Sequence, residues 1–445
     1  MKKTFWVAGL IMAMGLCACS KKPASEEVES ATNQAPAAEA NAADAAKADE
    51  AAKAEEAKKE ACKVATDVAI DEAAWADANN GFGFAMLKAS KGSSVVSPYS
   101  VERAVGMVLE GACGTTATEI RTAMSLPEAA NLSDAGGKVE KSMLAEFAEG
   151  VTVNIDNRVW VDAEYKLLDD YMARVKAAYR AEPTTLDFVK ASDDALKTIN
   201  DAVAKATNDK IQNILPAGSV NNMTRLVLTN AIYFKAPWQH NFNASATQKA
   251  DFKTADGVVQ VDMMRHKKEH RVYDAETYTA LDMAFAGSSY SMMIVLPKLA
   301  EGANVDEALT AVENSFTAAS FREMREKMTH ATVELEMPKF RVEAGTPLKS
   351  MLSDLGMKAA FSNDADFSGI SGKDDLYIAE VYHKAFIDVD ENGAEAAAAT
   401  AIPMMMKAMH RPAEAIKLTV DHPFMFAIME NNSGAALFVG RVNKF

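Results

Sequence analysis

The glycine and histidine motifs of this sequence are the first places to look for chemistry, and the glycine motifs are incomplete. Residues 81–83, Gly-Phe-Gly, begin like a dinucleotide-binding loop, but the third glycine of that loop is missing. Residues 369–372, Gly-Ile-Ser-Gly, place the second glycine one residue too early for the nucleophile elbow of a hydrolase. The phosphate-binding pattern G-x-x-x-x-G-K-[ST] does not occur. These motifs therefore give no support to catalysis.

Two of the seven histidines, His266 and His270, have the i, i+4 spacing that can bring two metal ligands together on a helix. The residues between them are Lys267, Lys268 and Glu269, and two lysines beside a cation site would repel the metal. We therefore expect no metal site, no cofactor and no enzyme activity in this chain.

The most informative segment is 388–407, whose sequence is DVDENGAEAAAATAIPMMMK. Alanine is the best helix former, so propensity alone predicts a helix over 395–401. A period of two predicts a strand instead, because every second residue from Ala394 onwards is small or apolar, while the other face carries Glu395, which can remain in water. Such a strand can slip between two existing strands with one face buried. Helix and strand both remain open on these grounds.

This segment resembles the hinge and reactive loop of the serpins, and the resemblance extends over nearly all of residues 68–445. Ordered blocks at the family's separations carry it, which makes it more specific than any single motif. The blocks are Val95–Ser100, Gly111–Thr116 with Glu119 and Ile120, Asn200, Thr207, Lys210 and Ile211, Leu226–Lys235 with Trp238, His383–Phe386, Asp421–Phe424, and Phe438–Val442.

Most serpins are suicide inhibitors of serine proteases, so the resemblance implies a loop that is cleaved and then inserted into the central sheet. Small hinge residues let the loop enter, which favours an inhibitory member over a non-inhibitory scaffold or ligand binder. The hinge residues by position are Glu391, Gly393, Ala394, Glu395, Ala396, Ala397, Ala398, Ala399 and Thr400.

The reactive bond is placed by the family's usual spacing, in which the specificity residue is the seventeenth when Glu391 is the first. That residue is Lys407, and the bond joins it to Ala408. A lysine suits a protease pocket with a buried carboxylate, so the expected partner is a trypsin-like serine protease. Extra residues before Asp421 blur this assignment, and Met406 would suit an elastase- or chymotrypsin-like enzyme. Further alternatives are Met405, Met409 and Arg411.

Five residues resemble the family's control points for opening the central sheet. Trp238 matches the position at the top of the sheet, where insertion begins. The other four match the polar cluster beneath the sheet, and they are Ser97, Ser100, Asn230 and His383.

The elements that must position these residues begin near residue 64, where the sequence becomes uniformly globular. Helical patterns such as 100–109 and 199–215 mix with strand patterns such as 226–234 and 292–297, without strict βαβ alternation and without an internal linker. This predicts an α+β fold. The resemblance implies the serpin fold over 68–445, with three β-sheets, about eight or nine helices, an exposed reactive loop and a monomeric state.

The N-terminus has the pattern of an export signal. Lys2 and Lys3 precede a short apolar run, and Leu16-Cys17-Ala18-Cys19 resembles a bacterial lipobox. This predicts a lipoprotein signal peptide over 1–18 and lipidation of Cys19.

Residues 19–67 form the predicted tether, because they are rich in Ala, Glu and Lys and nearly free of large apolar side chains. We expect an exported protein, lipid-anchored to a bacterial membrane and facing the periplasm or the exterior. In a Gram-negative host the membrane would be the outer one. Whether Cys62 and Cys113 form a disulfide is left open.

Composition excludes one further class of partner. The chain of 445 residues has 47 Lys and Arg against 62 Asp and Glu, a net charge of -15. Nucleic-acid binding relies on basic surface that neutralises phosphates, so we expect no nucleic-acid partner.

Overall fold

The computed structural model describes residues 68–126, 130–143, 148–181, 183–395 and 414–445. All of these residues belong to one compact unit within Glu56–Phe445. No helix among them is long and apolar enough to cross a membrane.

The described residues include ten α-helices, two of them short. Several begin at side chains that cap the first turn, such as Ser97, whose hydroxyl accepts a hydrogen bond from Ser100 N, and Asn304, which accepts from Asp306 N and Glu307 N. The helices are Glu72–Ala89 (α1), Pro98–Leu109 (α2), Gly114–Ala123 (α3), Leu132–Met143 (α4), Asp169–Tyr179 (α5), Ser192–Ala206 (α6), Val305–Ser315 (α7), Ala318–Lys327 (α8), Lys349–Asp354 (α9) and Ser368–Ser371 (α10).

The strands form three sheets of two, nine and six strands. In chain order the strands are Val68–Ala69 (β1), Ser94–Val96 (β2), Ala130–Asn131 (β3), Thr152–Asp162 (β4), Thr184–Leu186 (β5), Leu226–Pro237 (β6), Gln248–Thr254 (β7), Gly257–Asp274 (β8), Tyr278–Ala284 (β9), Tyr290–Pro297 (β10), Thr329–Pro338 (β11), Phe340–Pro347 (β12), Val381–Val389 (β13), Gly393–Ala394 (β14), Ile416–Thr419 (β15), Phe424–Glu430 (β16) and Ala436–Val442 (β17).

The six-stranded sheet has the order β12-β13-β14-β6-β4-β5. The two-residue strand β14 lies between β13 and β6 at one end of the sheet. Beyond β14 those two strands pair directly with each other, in parallel, from Val381 opposite Leu228 to Lys384 opposite Ala231. The two strands are therefore joined directly by four residue pairs at one end of the seam, and β14 lies between them at the other end.

Helix α2 lies against this sheet and packs on β4 and β6. Every one of its residues is buried, so it belongs to the centre of the core rather than to an amphipathic surface layer. The opposite face of the sheet carries a smaller apolar cluster that includes Trp160 and Tyr233 and is covered by Ile199 and Val203 of α6.

The predicted α+β class and the three sheets are confirmed. The predicted helical stretch 199–215 was wrong in its second half, because α6 ends at Ala206. Asn208, Asp209 and Asn213 follow with positive φ values, a conformation that Asn and Asp adopt more readily than most residues and that breaks a helix.

Candidate functional site

The hinge enters the six-stranded sheet as β14. Ala394 pairs with Ala236 of β6 and with Val389 of β13, and it is 1% exposed. Gly393 has a φ of 152°, and a Cβ on it would overlap the carbonyl oxygen of Ala236. Only glycine can approach β6 this closely in this conformation. The strand interpretation therefore holds for these two residues.

Glu391 fixes the chain just before β14. Its carboxylate accepts a hydrogen bond from Thr247 Oγ1 at 2.7 Å and forms an ion pair with Lys339 Nζ at 2.9 Å. Its carbonyl oxygen accepts from Phe242 N at 2.9 Å. Burial alone would raise the pKa of Glu391, but the Lys339 and Thr247 hydrogen bonds outweigh it and hold the pKa below its ordinary value. Glu391 is therefore a charged anchor at the base of the loop.

Trp238 closes the end of the sheet where β14 enters. Its backbone N donates to Asn392 O at 2.8 Å, and its indole Nε1 donates to Asp390 O at 2.9 Å. The indole stacks on Phe285 with 4.5 Å between ring centroids and 7° between planes. Trp238 thus holds two carbonyls of the turn between β13 and β14.

Glu395 is the last described residue before the gap. It has a φ of 50°, and its backbone N donates to Asp388 O at 2.8 Å, so the chain leaves the sheet here. Its carboxylate forms an ion pair with Lys210, in the turn after α6. Burial raises the pKa of the Tyr233 hydroxyl, and the nearby Glu395 carboxylate raises it further. Glu395 is thus tied to the layer that covers the sheet.

The polar cluster beneath the seam is centred on His383. Its Nε2 accepts a hydrogen bond from Ser97 N at 3.1 Å, which requires that nitrogen to carry no proton. Burial lowers the pKa of His383 to about 4, so the ring is neutral at physiological pH. Ser97 Oγ in turn accepts from Ser100 N at 3.2 Å, and Asn230 is the residue opposite His383 in the β6–β13 register. The structure thus brings these four residues together where the two strands pair.

The sequence matches the family model for the serpins, the serine protease inhibitors, over residues 77–445. The chain belongs to the serpin family. It is 36% identical over 370 residues to an uncharacterized serpin-like protein of Thermococcus kodakarensis, covering 82% of this chain and 84% of that protein. It is 35% identical over 359 residues to the leukocyte elastase inhibitor of Xenopus tropicalis, covering 79% and 92%. Human thyroxine-binding globulin has a similar structure, with a TM-score of 0.71, 26% identity, and coverage of 84% and 99%.

The family assignment agrees with an inhibitor rather than an enzyme, since serpins bind proteases and do not themselves catalyse a reaction. It does not separate inhibitory members from non-inhibitory ones. The rest of the predicted loop lies outside the residues that the structure describes, as do Ala396, Ala397, Ala398, Ala399, Thr400, Lys407, Ala408 and the lipidation residue Cys19.

Three partners of the serpin hinge were missed by the sequence analysis: Lys339, Thr247 and Lys210. Each is distant in sequence from the carboxylate it binds, with 144 residues between Thr247 and Glu391, for example. No local spacing signals such contacts, and only the paired strands bring them together.

The histidine pair of the sequence is also close in space. His266 Nε2 and His270 Nε2 lie 3.0 Å apart, and the His266 ring stacks on Phe242 with 4.0 Å between centroids. Burial lowers the pKa of His266 to about 3 and that of His270 to about 4. Among the residues that the structure describes, no group of three or more His, Cys, Asp or Glu is placed to hold a metal ion.

Cys113 of this serpin is disulfide-bonded and 1% exposed. Its Sγ lies 3.3 Å from Ser368 Oγ in α10. The remaining cysteines of the sequence lie outside the described residues, and they are Cys17, Cys19 and Cys62.

Proposed function

We propose that this serpin is a suicide inhibitor of serine proteases that works by inserting its cleaved loop between β6 and β13. The observation that carries the proposal is β14. Gly393 and Ala394 already separate these strands at one end, while four residue pairs below join them directly. The same two strands can accept a longer β14 once the loop is cut.

The register of β14 supports this direction of entry. Ala394 pairs with Ala236 and Val389. If that register continues, Thr400 arrives between Asn230 and His383, where the strands now pair with each other. The polar cluster around His383 would then be the point at which the seam has to part.

The alternation of side chains supports the same conclusion. In the continued register Ala398 would lie between Ile232 and Ala385, which are both fully buried. Ala399 would lie between Ala231, which is fully buried, and Lys384, whose side chain is 26% exposed. The alanine side chains of the loop are thus small enough for the buried positions between β6 and β13.

The chemistry of inhibition follows from the timing of this insertion. The protease serine attacks the carbonyl of Lys407, the Lys407–Ala408 bond breaks, and the Ala408 amine leaves with a proton. Insertion before water attacks the ester would trap the protease as a covalent acyl-enzyme. A trypsin-like target fits Lys407. The similarity to leukocyte elastase inhibitor keeps an elastase-like target with Met406 as the alternative.

The proposal is tested by incubating the full-length protein with trypsin-like and elastase-like proteases. We expect a complex that survives denaturing electrophoresis and a released peptide that begins at Ala408. Ala398→Glu should abolish the complex and leave a cleaved substrate, since a charge would enter the buried face. Ala399→Glu, the matched control on the other face, should still form the complex. Loss of complex in both variants, or in neither, would contradict the insertion register.

The second candidate function is that of a non-inhibitory, ligand-binding serpin. The similarity to thyroxine-binding globulin favours it. Cleavage of the wild-type loop by every protease tested, without any covalent complex, would support this function over inhibition.

We further propose that the inhibitor is exported and tethered to a bacterial membrane through lipid on Cys19. The lipobox pattern at 16–19 and the polar tether that follows support this. Cells fed a labelled fatty acid should label the wild-type protein and not Cys19→Ala. Equal label in both would rule the anchor out.

A further inference from the structure

Helix α2 carries two adjacent charged residues in the core, Glu102 and Arg103. Glu102 is 1% exposed and Arg103 is 0% exposed, whereas Glu and Arg side chains are almost never fully buried unless they are paired. Glu140 of α4 lies beside them and is 7% exposed. We call these three residues the buried charge cluster.

Within the buried charge cluster, Arg103 and Glu140 satisfy each other. Arg103 Nη2 lies 3.2 Å from Glu140 Oε2 and donates to Ala178 O at 2.5 Å. The guanidinium lies over the Tyr179 ring, 4.2 Å from its centroid. Tyr99 O–H donates to the same Glu140 oxygen at 3.3 Å. The contacts of Arg103 thus run through Nη2 and the guanidinium face, while its buried Nε and Nη1 have no hydrogen-bond partner in the described part of the chain and do not reach Glu102.

Glu102 is left without such a partner. Neither of its carboxyl oxygens has a hydrogen-bond partner in the described part of the chain, and both are inaccessible to solvent. The Trp75 indole acts on this carboxyl group and favours its charged form, but its N–H does not reach hydrogen-bonding geometry. An ionised carboxylate here would be buried with no donor to stabilise it, which is among the most costly states of a protein interior.

Counting charges leads to the same conclusion. The buried charge cluster holds one cation and two carboxylates, so ionising both carboxylates leaves one negative charge uncompensated. Beyond the cluster lies Glu110, the residue that caps the end of α2, and two further cations act on it: Arg174 of α5, 3.4 Å away, and Arg121 of α3. The neighbouring tyrosines do not add charge, because burial raises the pKa of both Tyr99 and Tyr179 well above the ordinary value.

We propose that Glu102 carries a proton in the folded chain up to neutral pH, and that the fold loses stability as pH rises through the range in which the unfolded chain has lost this proton and the folded chain still holds it. The protonated carboxyl completes a neutral cluster with the Arg103–Glu140 pair. Because α2 lies directly under β4 and β6, the proton acts on the layer that supports the six-stranded sheet.

The pH window follows from the direction of the shift. Burial raises the pKa of Glu102 to about 7, from an ordinary value of 4.5, and the Arg103 charge lowers it only in part. Below pH 4.5 the group is protonated in both states and has no effect. Between 4.5 and 7 the folded state holds a proton that the unfolded state has lost, so stability falls as pH rises. Above 7 the loss is complete.

Other buried groups titrate in the same range, so the measured quantity is the difference between the wild-type protein and Glu102→Gln. His383, with its lowered pKa, contributes in the opposite sense, since its stability is lost as pH falls from about 6.5 toward 4. The buried Glu110 and Glu313, with raised pKa values, contribute in the same sense as Glu102. A variant at Glu102 leaves these contributions in place.

The test is urea unfolding of the full-length protein from pH 4.5 to 8.5. Relative to Glu102→Gln, the wild-type unfolding constant should rise by up to about tenfold per pH unit between 4.5 and 7, and should then stay constant. At pH 8 the variant should be the more stable protein by about two orders of magnitude in that constant. Parallel pH profiles of the two proteins would overturn the proposal.

Glu313→Gln is the matched control. Glu313 is also buried, at 3% exposure, but it has its own partner in Arg441 Nη1, 2.6 Å away. Breaking that pair leaves Arg441 without its carboxylate, so Glu313→Gln should destabilise the fold at pH 8, although the pH trend of Glu313 has the same sign as that of Glu102. If Glu102→Gln does not fold, Glu102→Met, of similar length, replaces it.

Infrared spectroscopy gives a readout independent of unfolding and of protease inhibition. Folded wild-type protein at pH 6 should show the band of a protonated carboxylic acid that fades by pH 8.5 and is absent from the Glu102 variant. The absence of that band from the folded wild-type protein would overturn the proposal, whatever the outcome with proteases.

Discussion

At the scale of single residues, the hinge is held by charges whose partners come from other elements. Glu391 binds Thr247 and Lys339, and Glu395 binds Lys210. Both carboxylates flank the two residues that enter the sheet. The chain is therefore fixed on both sides of β14, by residues that lie outside β6 and β13.

We expect Glu391→Gln to lower the free energy of unfolding at pH 7 by about 1 kcal/mol, because it removes the charge from a buried carboxylate that is bound to Thr247 and to the partly exposed Lys339. The folded-state pKa of Glu391 is lowered, so its stabilisation is present above pH 4.5 and is lost as pH falls below that value. The deficit of the variant, measured by urea unfolding, should shrink in acid. Glu343→Gln, which removes an exposed carboxylate, should cost less at pH 7. An equal deficit in both variants would contradict the anchoring role of Glu391.

The second residue-scale prediction concerns Lys407. If a protease reads this side chain through a buried carboxylate, Lys407→Met should slow inhibition of a trypsin-like enzyme by roughly a thousandfold, since the pocket charge is left unpaired. The measurement is the second-order rate constant of complex formation. Arg411→Ala should leave that constant unchanged. The reverse pattern would move the reactive bond to Arg411.

At the scale of elements, β14 depends on a glycine conformation. We expect Gly393→Ala to destabilise the protein by about 1–3 kcal/mol more than Gly218→Ala, measured as the difference in urea unfolding. Both glycines have positive φ, but only Gly393 has backbone of another strand where its Cβ would lie. The comparison thus separates close approach from backbone conformation. Equal effects would mean that β14 is not seated against β6 in solution.

The sequence predicted the elements of this site better than their mutual contacts. The strand character of Ala394 and the grouping of Ser97, Ser100 and His383 at one seam rest on local or ordered signals, so they could be predicted from a single chain. The role of these residues in sheet opening and the period-two pattern beyond Glu395 stay predictions. The end of α6 at Ala206 was harder to predict than the existence of the helix. Asn and Asp residues that follow it favour turns over helix, and this preference acts over only a few residues.

Tertiary burial was beyond such reasoning. Glu102 and Arg103 stand next to each other in a helix, a pattern typical of a solvated face, yet every residue of α2 is buried. Glu102 and Arg103 are buried because α1, α4 and α5 pack around α2. The spacing of residues within the helix does not indicate this packing. The partners of Glu391 and Glu395 were missed for the same reason.

At the scale of the whole molecule, the six-stranded sheet contains a strand, β14, that is much shorter than its neighbours β6 and β13. We therefore expect the sheet to rearrange if β14 becomes longer. Strand β14 has two residues between β6 and β13, and these two strands are long enough to pair with several more residues of the loop. The four parallel pairs below it are slightly weaker per residue than the antiparallel pairs that would replace them.

Cleavage of the loop should therefore stabilise this protein rather than damage it. We expect the thermal midpoint of the cleaved, inhibitor-free form to exceed that of the intact form by more than about 10 °C, which corresponds to several kcal/mol for a domain of this size. Differential scanning calorimetry before and after limited proteolysis measures the change. Cleaved Ala398→Glu should show little gain, since its charge stops β14 before it reaches His383. A cleaved wild-type midpoint equal to the intact one would mean that the loop stays outside the sheet, and it would favour the ligand-binding function over inhibition.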